Sequence, residues 1–566
     1  MVSMTRKFFS MKLSLARFEF LLPIFFGIAS FFLVLGPLPL NPNNIGWLNG
    51  LDPSTNYLGW AFFRSSPWTF PIGLNPSYGA DISSSIVYSD SIPLLAIVFK
   101  LFAPYLSEPF QYIGIWVLIC FILQAWFSWQ LSKLISNHVL IRLLICGLLG
   151  VFAPPMLKRL GLHAALMGQF LVLAALYLNF QSQNKYRSFY WFALLVTSSL
   201  VNFYLLVMVA VLWLVNLLDE WLVQQKITVK MLLKEFISCT LVTIFFMWQA
   251  GYFLGISNPI RAEGFGSYKL NLVSLIDANN WSYILPNIAT PEDLGEGFNF
   301  LGLGLLCLVP LFIFLLFSRR IAYQTYIKRF LFLIIGLIGL TFFALSNLVS
   351  FGMQTFEFPW PSALIEWASV LRSSGRLFWP TYYCLVFAML AVIAHNLSNK
   401  LVITLFASAL FIQISDTSAG WWPLHRTLNE LSKRAFPNPL DDPFWATAAK
   451  HYQAVVIYPL INNQAQLNWQ PIAYFAATNH LRTNAVYLAR KPSIDSVDQF
   501  NGRIKSQLVL GNYDSNTLYV FSLPSEIKNA NHIQYDPNND FFGVINGVTV
   551  LAPNWQVLQN SSNKKN

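Results

Sequence analysis

Asp52 stands in the stretch LNGLDPSTNYLGWAFFRSSPWTFPIG, Leu48 to Gly73, and Arg64 is the one basic residue between positions 39 and 85. A carboxylate beside an apolar surface can serve as a general base that takes a proton from a sugar hydroxyl. In the order DPST it can equally cap a helix or form a turn. Arg64 can grip a phosphate through two parallel hydrogen bonds. Around it, Trp60, Phe62, Phe63, Trp68 and Phe70 suit an amphipathic helix lying in a membrane interface. There, Trp60 and Trp68 could hold both the helix and a sugar ring. An aromatic belt that only anchors the chain explains the rings as well, but explains Arg64 less well.

The stretch YGADISSSIVYSDSIPLLAIVFK adds Asp81 and Asp90. Asp90 falls at the external mouth of an apolar run, where a carboxylate must face protein or water and not lipid. Residues 263–304 offer Lys269, Asp277, Trp281, Glu292, Asp293 and Glu296. The last three could hold a divalent cation through oxygen ligands. Their spacing fits no calcium loop, and a solvated loop is the plainer reading. EWASVLRSSGRLFWP, 366–380, carries Arg372 and Arg376, which would share one face of a helix. They could clamp a pyrophosphate or pair with Glu366. Lys158, Arg159 and His163 flank a later apolar run and read as snorkelling or topology residues at the inner face.

These residues must be positioned by membrane helices. The 566-residue chain is 55% hydrophobic and 11% charged, with a mean hydropathy of +0.51; soluble domains average about 25% charged residues. Apolar runs predict about eleven spans: 18–38, 86–105, 111–132, 139–156, 161–180, 188–218, 234–254, 299–318, 329–348, 376–396 and 400–416. The sixth is too long for a straight crossing, and SSLVNFYLL at 198–206 could break it; charge parity favours one net crossing there. With the N-terminus inside, the inner segments 1–17, 155–160, 219–234, 319–329 and 397–400 carry 14 basic residues against 9 in the much longer outer ones. That bias fits a cytoplasmic N-terminus and an extracytoplasmic C-terminal part. Three long external loops result, 39–85, 255–298 and 349–375, and function gathers on such loops. The net charge of +11 fits this topology, and no nucleic-acid motif accompanies it.

After about residue 420 the pattern changes, giving a membrane domain over 1–420 and a soluble α/β domain over 421–566. AVVIYPL, AVYLAR, SQLVLGNY, TLYVFSLP and GVINGVTVLAP read as short strands. DPFWATAAKHYQ and WQPIAYFAATNHL read as amphipathic helices, and the tail NSSNKKN as disordered. The five cysteines lie in or beside apolar runs and read as packing residues. The basic N-terminus precedes a run too long for a signal-peptide core, which predicts an uncleaved first span.

The motifs LDPSTNYLGWAFFRSSPWTFPIG, SSSIVYSDSIPLLA, GEGFNFLGLG and SSGRLFWP resemble an uncharacterised family of bacterial inner-membrane proteins of GT-C type, over about 1–560. GT-C glycosyltransferases use polyprenyl-phosphate-linked sugars. The resemblance implies a GT-C-like helix bundle, with Asp52 as the first-loop acid; Asp90 is a second catalytic candidate. The loop carries neither an adjacent acid pair nor a D-x-D. The expected reaction is direct displacement onto an envelope glycan or lipid acceptor. Asp52 takes the proton, Arg64, Arg372 or Arg376 offsets charge on the leaving phosphate, and Trp281 and Glu296 help hold substrate. A divalent cation is a possible cofactor. The alternatives are a transporter or flippase of lipid-linked sugars and a non-catalytic envelope scaffold. The first needs ionisable residues deep in the spans, and few are present; it is also weakened by the lack of an internal repeat.

Overall fold

The computed structural model describes residues 19–80, 82, 84–181, 185–254, 265–288, 295–318, 327–461, 469–487, 494–522 and 533–557. The chain is mainly helical, because long apolar stretches in lipid satisfy their backbone polar groups only within the segment itself. Among the described residues, five helices are long and apolar enough to cross a membrane: Ile113–Ser132, Phe203–Val223, Val229–Ala250, Ser374–Asn396 and Asn399–Leu431. Shorter apolar helices span Leu21–Val34, Val139–Val151, Ala164–Phe180, Leu303–Ser318 and Leu331–Leu345. The chain forms two units, one of residues 1–41, 112–243 and 263–430, the other of 42–111, 244–262 and 431–566.

In the first unit Leu21–Val34 lies along Ile113–Ser132. A Cβ on Gly27 would come within 2.7 Å of the Ile122 Cα, so glycine is what allows this approach. Inside the bundle, Gln124 Nε2 donates to the Tyr383 hydroxyl at 3.0 Å, which donates to Gln169 Oε1 at 2.5 Å. Gln413 Nε2 donates to the Leu301 carbonyl at 2.9 Å. Such buried polar groups need partners where water is absent.

The sixth apolar run turns back on itself. Arg187–Val201 and Phe203–Leu218 flank Asn202, whose backbone is extended and whose side chain accepts the Tyr204 N–H at 2.9 Å. At the far end Asn216 Oδ1 accepts from Arg187 and from Trp191, both at 2.8 Å. The start of one helix therefore meets the end of the next, and the run folds into a helical hairpin.

The second unit holds a five-stranded sheet in the order β4-β3-β5-β7-β6. Its strands are β3 (Ala454–Tyr458), β4 (Arg482–Thr483), β5 (Thr517–Phe521), β6 (Phe541–Ile545) and β7 (Val548–Ala552), counted after a two-strand hairpin, β1 and β2, at Leu348–Phe351 and Gln354–Glu357 in the first unit. β3 runs parallel to β4 and β5, while β7 runs antiparallel to β5 and β6. Asn546 and Gly547, with φ of 50° and 74°, make the tight turn between β6 and β7. The central strands β5 and β7 are buried throughout, as their largely apolar sequences require. Pro443–His451, Trp469–Thr478 and Ile494–Leu510 are helices. SQLVL at 506–510, which reads as a strand, is the end of the last of these. The first-loop segment 77–80 extends the sheet: Thr483 N–H donates to the Ser77 carbonyl at 3.0 Å, and Gly79 and Ala80 N–H donate to the Thr483 carbonyl at 2.9 Å. It thereby covers an edge that would otherwise invite pairing with another chain.

Residues 86–105 do not form a span. Their helix, Pro93–Leu101, has nine residues, and a helix of that length covers only about 14 Å of a hydrocarbon layer roughly 30 Å thick.

Candidate functional site

Asp52 lies in the first turn of the Leu51–Ser65 helix, where a carboxylate is favoured by the unsatisfied N–H groups. Neighbouring side chains fix that turn: Ser54 Oγ accepts the Gly50 N–H at 3.2 Å and donates to the Leu48 carbonyl at 3.0 Å. The helix cap is thus built from Gly50 and Ser54. Gln470 Nε2, from the Trp469–Thr478 helix, donates to Ser54 Oγ at 2.8 Å.

Asp90 is brought to the same corner. The Asn56 amide, turned as its surroundings require, donates to the Asp52 carbonyl at 3.1 Å and the Ser89 carbonyl at 3.0 Å. Ser91 Oγ donates to the Asn56 carbonyl at 2.7 Å. Gly59 admits the turn, since a Cβ there would stand 2.1 Å from Ser89 Oγ. Asp90 itself has φ of 54°, a conformation that aspartate tolerates better than most side chains. Both acids are half-buried.

The other first-loop candidates have structural partners. Arg64 donates to the carbonyls of Ser107 and Leu106 at 2.7 Å and of Ala103 at 3.2 Å, closing the 103–107 turn. Trp60 is buried and donates to the Phe110 carbonyl at 2.9 Å. Trp68 is exposed, with Lys100 Nζ 4.8 Å from its ring centre and 4.1 Å from that of Phe63. Asp81 lies outside the described residues.

The first unit contains a second cluster. Glu296 Oε2 accepts from Arg159 at 2.6 Å and from Arg376 Nε at 2.7 Å, and His163 Nε2 is 3.3 Å from Oε1. Burial alone would raise the Glu296 carboxyl; the Arg376 and Arg159 guanidiniums and the His163 contact overrule it and hold the carboxyl well below the usual range. Arg376 lies 4.8 Å from the Tyr204 ring centre and Arg159 5.6 Å from that of Trp379. Glycines bring the supporting loops together. A Cβ on Gly375 would meet the Gly297 Cα at 2.7 Å, and one on Gly297 would meet the Lys269 carbonyl oxygen at 2.1 Å.

Arg159 and His163 therefore share one end of the unit with Glu296 and Arg376, and do not sit at the opposite face as their sequence setting suggested. Arg372 and Arg376 also do not share a helix face: the chain leaves the helix at Ser369 and enters a 3-10 turn at Ser374. Arg372 lies 5.8 Å from the Tyr268 ring centre. Trp281 is buried against Gly420, where a Cβ would stand 2.1 Å from the indole. Asp277 Oδ1 accepts the Ile288 and Asn279 N–H groups at 3.0 and 3.3 Å, as a turn former does. Glu292 and Asp293 lie outside the described residues, and among the described residues no three His, Cys, Asp or Glu side chains gather as a metal site.

A family model described as a domain of unknown function, DUF6311, matches residues 24–418. The chain belongs to the DUF6311 family. The DUF6311 C-terminal domain matches residues 444–553, which contain β3 to β7. No curated protein matches this DUF6311 chain.

Proposed function

We propose that this DUF6311 protein is a glycosyltransferase of a bacterial inner membrane, moving a sugar from a polyprenyl-phosphate carrier to an extracytoplasmic glycan or lipid acceptor. The observation that carries this reading is the corner at which Asn56 and Ser91 join the helix turn that bears Asp52 to the 89–91 segment that bears Asp90. Two half-buried carboxylates on a rigid support suit proton transfer from an acceptor hydroxyl. Asp52 takes that proton, the freed oxygen bonds to the anomeric carbon, and the bond from that carbon to the carrier phosphate breaks. The carrier leaves as polyprenyl phosphate, and Asp52 returns its proton to water. Asp90 orients the acceptor. The GT-C resemblance of the surrounding motifs supports the choice of donor.

The proposed topology keeps the N-terminus cytoplasmic. Leu21–Val34, Ile113–Ser132, Val139–Val151, Ala164–Phe180, Arg187–Val201, Phe203–Val223, Val229–Ala250, Leu303–Ser318, Leu331–Leu345, Ser374–Asn396 and Asn399–Leu431 make eleven crossings. This order leaves residues 42–111, 155–163, 255–298, 349–373 and the chain after 431 outside. It leaves the basic runs within 1–17, 226–234 and 319–329 inside, as the positive-inside rule requires. The contacts of Arg159 with Glu296 and of Arg187 with Asn216 support it.

The test is transfer from radiolabelled polyprenyl-phosphate sugars by membranes of a strain lacking the native gene and carrying wild type, Asp52→Asn or Asp90→Asn. The expected result is a loss of at least about 100-fold for Asp52→Asn, with protein levels unchanged. Full transfer by both variants overturns the proposal.

A further inference from the structure

A cavity of about 470 Å³ opens on the sheet region between the start of β5, the 534–540 turn and the end of β7. That volume is within the usual range of small-ligand pockets, about 300–1,000 Å³. Asp540 forms its buried frame. Oδ1 accepts the Asn554 N–H at 2.8 Å, and Oδ2 accepts the Tyr513 O–H at 2.5 Å and the Asp536 N–H at 3.0 Å. Burial, then the Asp540 carboxylate, push the Tyr513 phenol up, so it remains protonated and keeps donating. With hydrogens aimed at both of its oxygens, Asp540 is a framing group and a poor cation ligand.

The walls differ from the frame. The Tyr535 ring is 37% exposed and rests against Phe542, with ring centres 5.4 Å apart. Asp536 Oδ1 accepts the Asn538 N–H at 2.9 Å and Oδ2 accepts Asn539 Nδ2 at 2.6 Å. Each carboxylate oxygen has a second lone pair, and Asp536 is exposed. Among the described lining residues there is no Lys or Arg, which disfavours an anion. The lining offers an aromatic face, side-chain amides and a carboxylate with spare acceptor capacity. A pyranose matches it, with C–H faces for the ring and hydroxyls for the polar groups.

We infer that this cleft binds a saccharide, with Tyr535 stacking on a sugar face and Asp536, Asn539 and Asn554 bonding its hydroxyls. Its role as a holder of the acceptor glycan rests on the transferase reading, but binding itself does not. Full-length protein in lipid nanodiscs is titrated with maltotriose, chitotriose and mannotriose, followed by saturation-transfer NMR; glycosidic detergents are avoided because they carry the same ligand class. At least one trisaccharide is expected to bind with a Kd on the order of 1 mM. Tyr535→Ala and Asp536→Asn should each weaken it by about tenfold or more, a free-energy change of about 1.4 kcal/mol, while Tyr535→Phe retains it. Asp52→Asn should bind as wild type, which separates a failed transferase reading from a failed cleft. Absence of binding by all three probes, or binding that survives both Tyr535→Ala and Asp536→Asn, overturns the inference.

Discussion

Glu296 and Arg376, 80 positions apart in sequence, meet in a buried ion pair of 2.7 Å that Arg159 shares from a third segment. One carboxylate thus ties together the 155–163 turn, the end of the 255–298 loop and the entrance to the Ser374–Asn396 helix. Removing a single partner from such a cluster leaves the remaining charges buried, so Glu296→Gln should destabilise the protein by about 3–5 kcal/mol. Thermal unfolding in nanodiscs, followed by tryptophan fluorescence, measures this; an unchanged Tm would show the pair to be dispensable.

The same residue sets a pH dependence. Its folded carboxyl is held well below the ordinary range, whereas an unfolded glutamate titrates near about 4.3. The stabilisation is therefore complete above that value and disappears as pH falls through it toward the lower folded pKa. Between about pH 5 and about pH 3 the wild-type Tm should fall more steeply than that of Glu296→Gln. Parallel slopes for the two proteins would argue against the linkage.

Gly59→Ala should disturb the Asp52–Asp90 corner, because its Cβ would lie 2.1 Å from Ser89 Oγ and 2.3 Å from Ser89 Cβ. Overpacking of this kind costs about 1–3 kcal/mol. Ser89→Gly in the same chain should recover most of that loss and of any transfer activity. A double-mutant cycle with no coupling between the two positions would contradict the contact.

Topology is tested by cysteine labelling in a background free of the five native cysteines. A cysteine at Leu162 or at Ser107 should react with an impermeant maleimide added outside intact cells. One at Gln225 should react only after the membrane is opened. Inner labelling of position 162 would restore the reading in which 86–105 crosses the membrane.

Asn202→Leu should loosen the hairpin of the sixth apolar run. Its side chain accepts the Tyr204 N–H at 2.9 Å, and loss of such a cap costs about 1 kcal/mol. The expected readout is a lower Tm with the same fold by circular dichroism.

Hydrophobic run length made most helices legible in the sequence, and β-rich patterning did the same for β3, β5, β6 and β7. Run length misread 86–105 because apolar residues there serve a short helix and surface contacts, which composition alone does not distinguish from a crossing. It also hid the turn at Asn202, since a polar residue that caps a helix within the bundle leaves the apolar average almost unchanged. Asp52 and Asp90 stood out in the sequence as isolated acids, Asp90 because 86–105 read as a span. The partnership of Arg159 and His163 with Glu296 was not legible, because it depends on which side of the membrane each loop occupies. Arg64 looked like a phosphate ligand, yet the chain uses its planar donors on three carbonyls that no side-chain pattern reveals.

The unit that carries β3 to β7 is assembled from three separated stretches of chain, and this has a consequence for how the protein is made. Ser54 and Gln470, joined by a 2.8 Å hydrogen bond, are 416 residues apart. At a synthesis rate of about 5–20 residues per second, the first loop exists for roughly 20–80 s before the helix that supports it has been translated. During that interval Asp52 has no completed corner, and the 77–80 segment has no strand to extend. The nascent loop must wait, unpaired, while the intervening helices are inserted. Premature termination anywhere before residue 470 would leave Ser54 without its Gln470 partner and the 77–80 segment without the strand it pairs with.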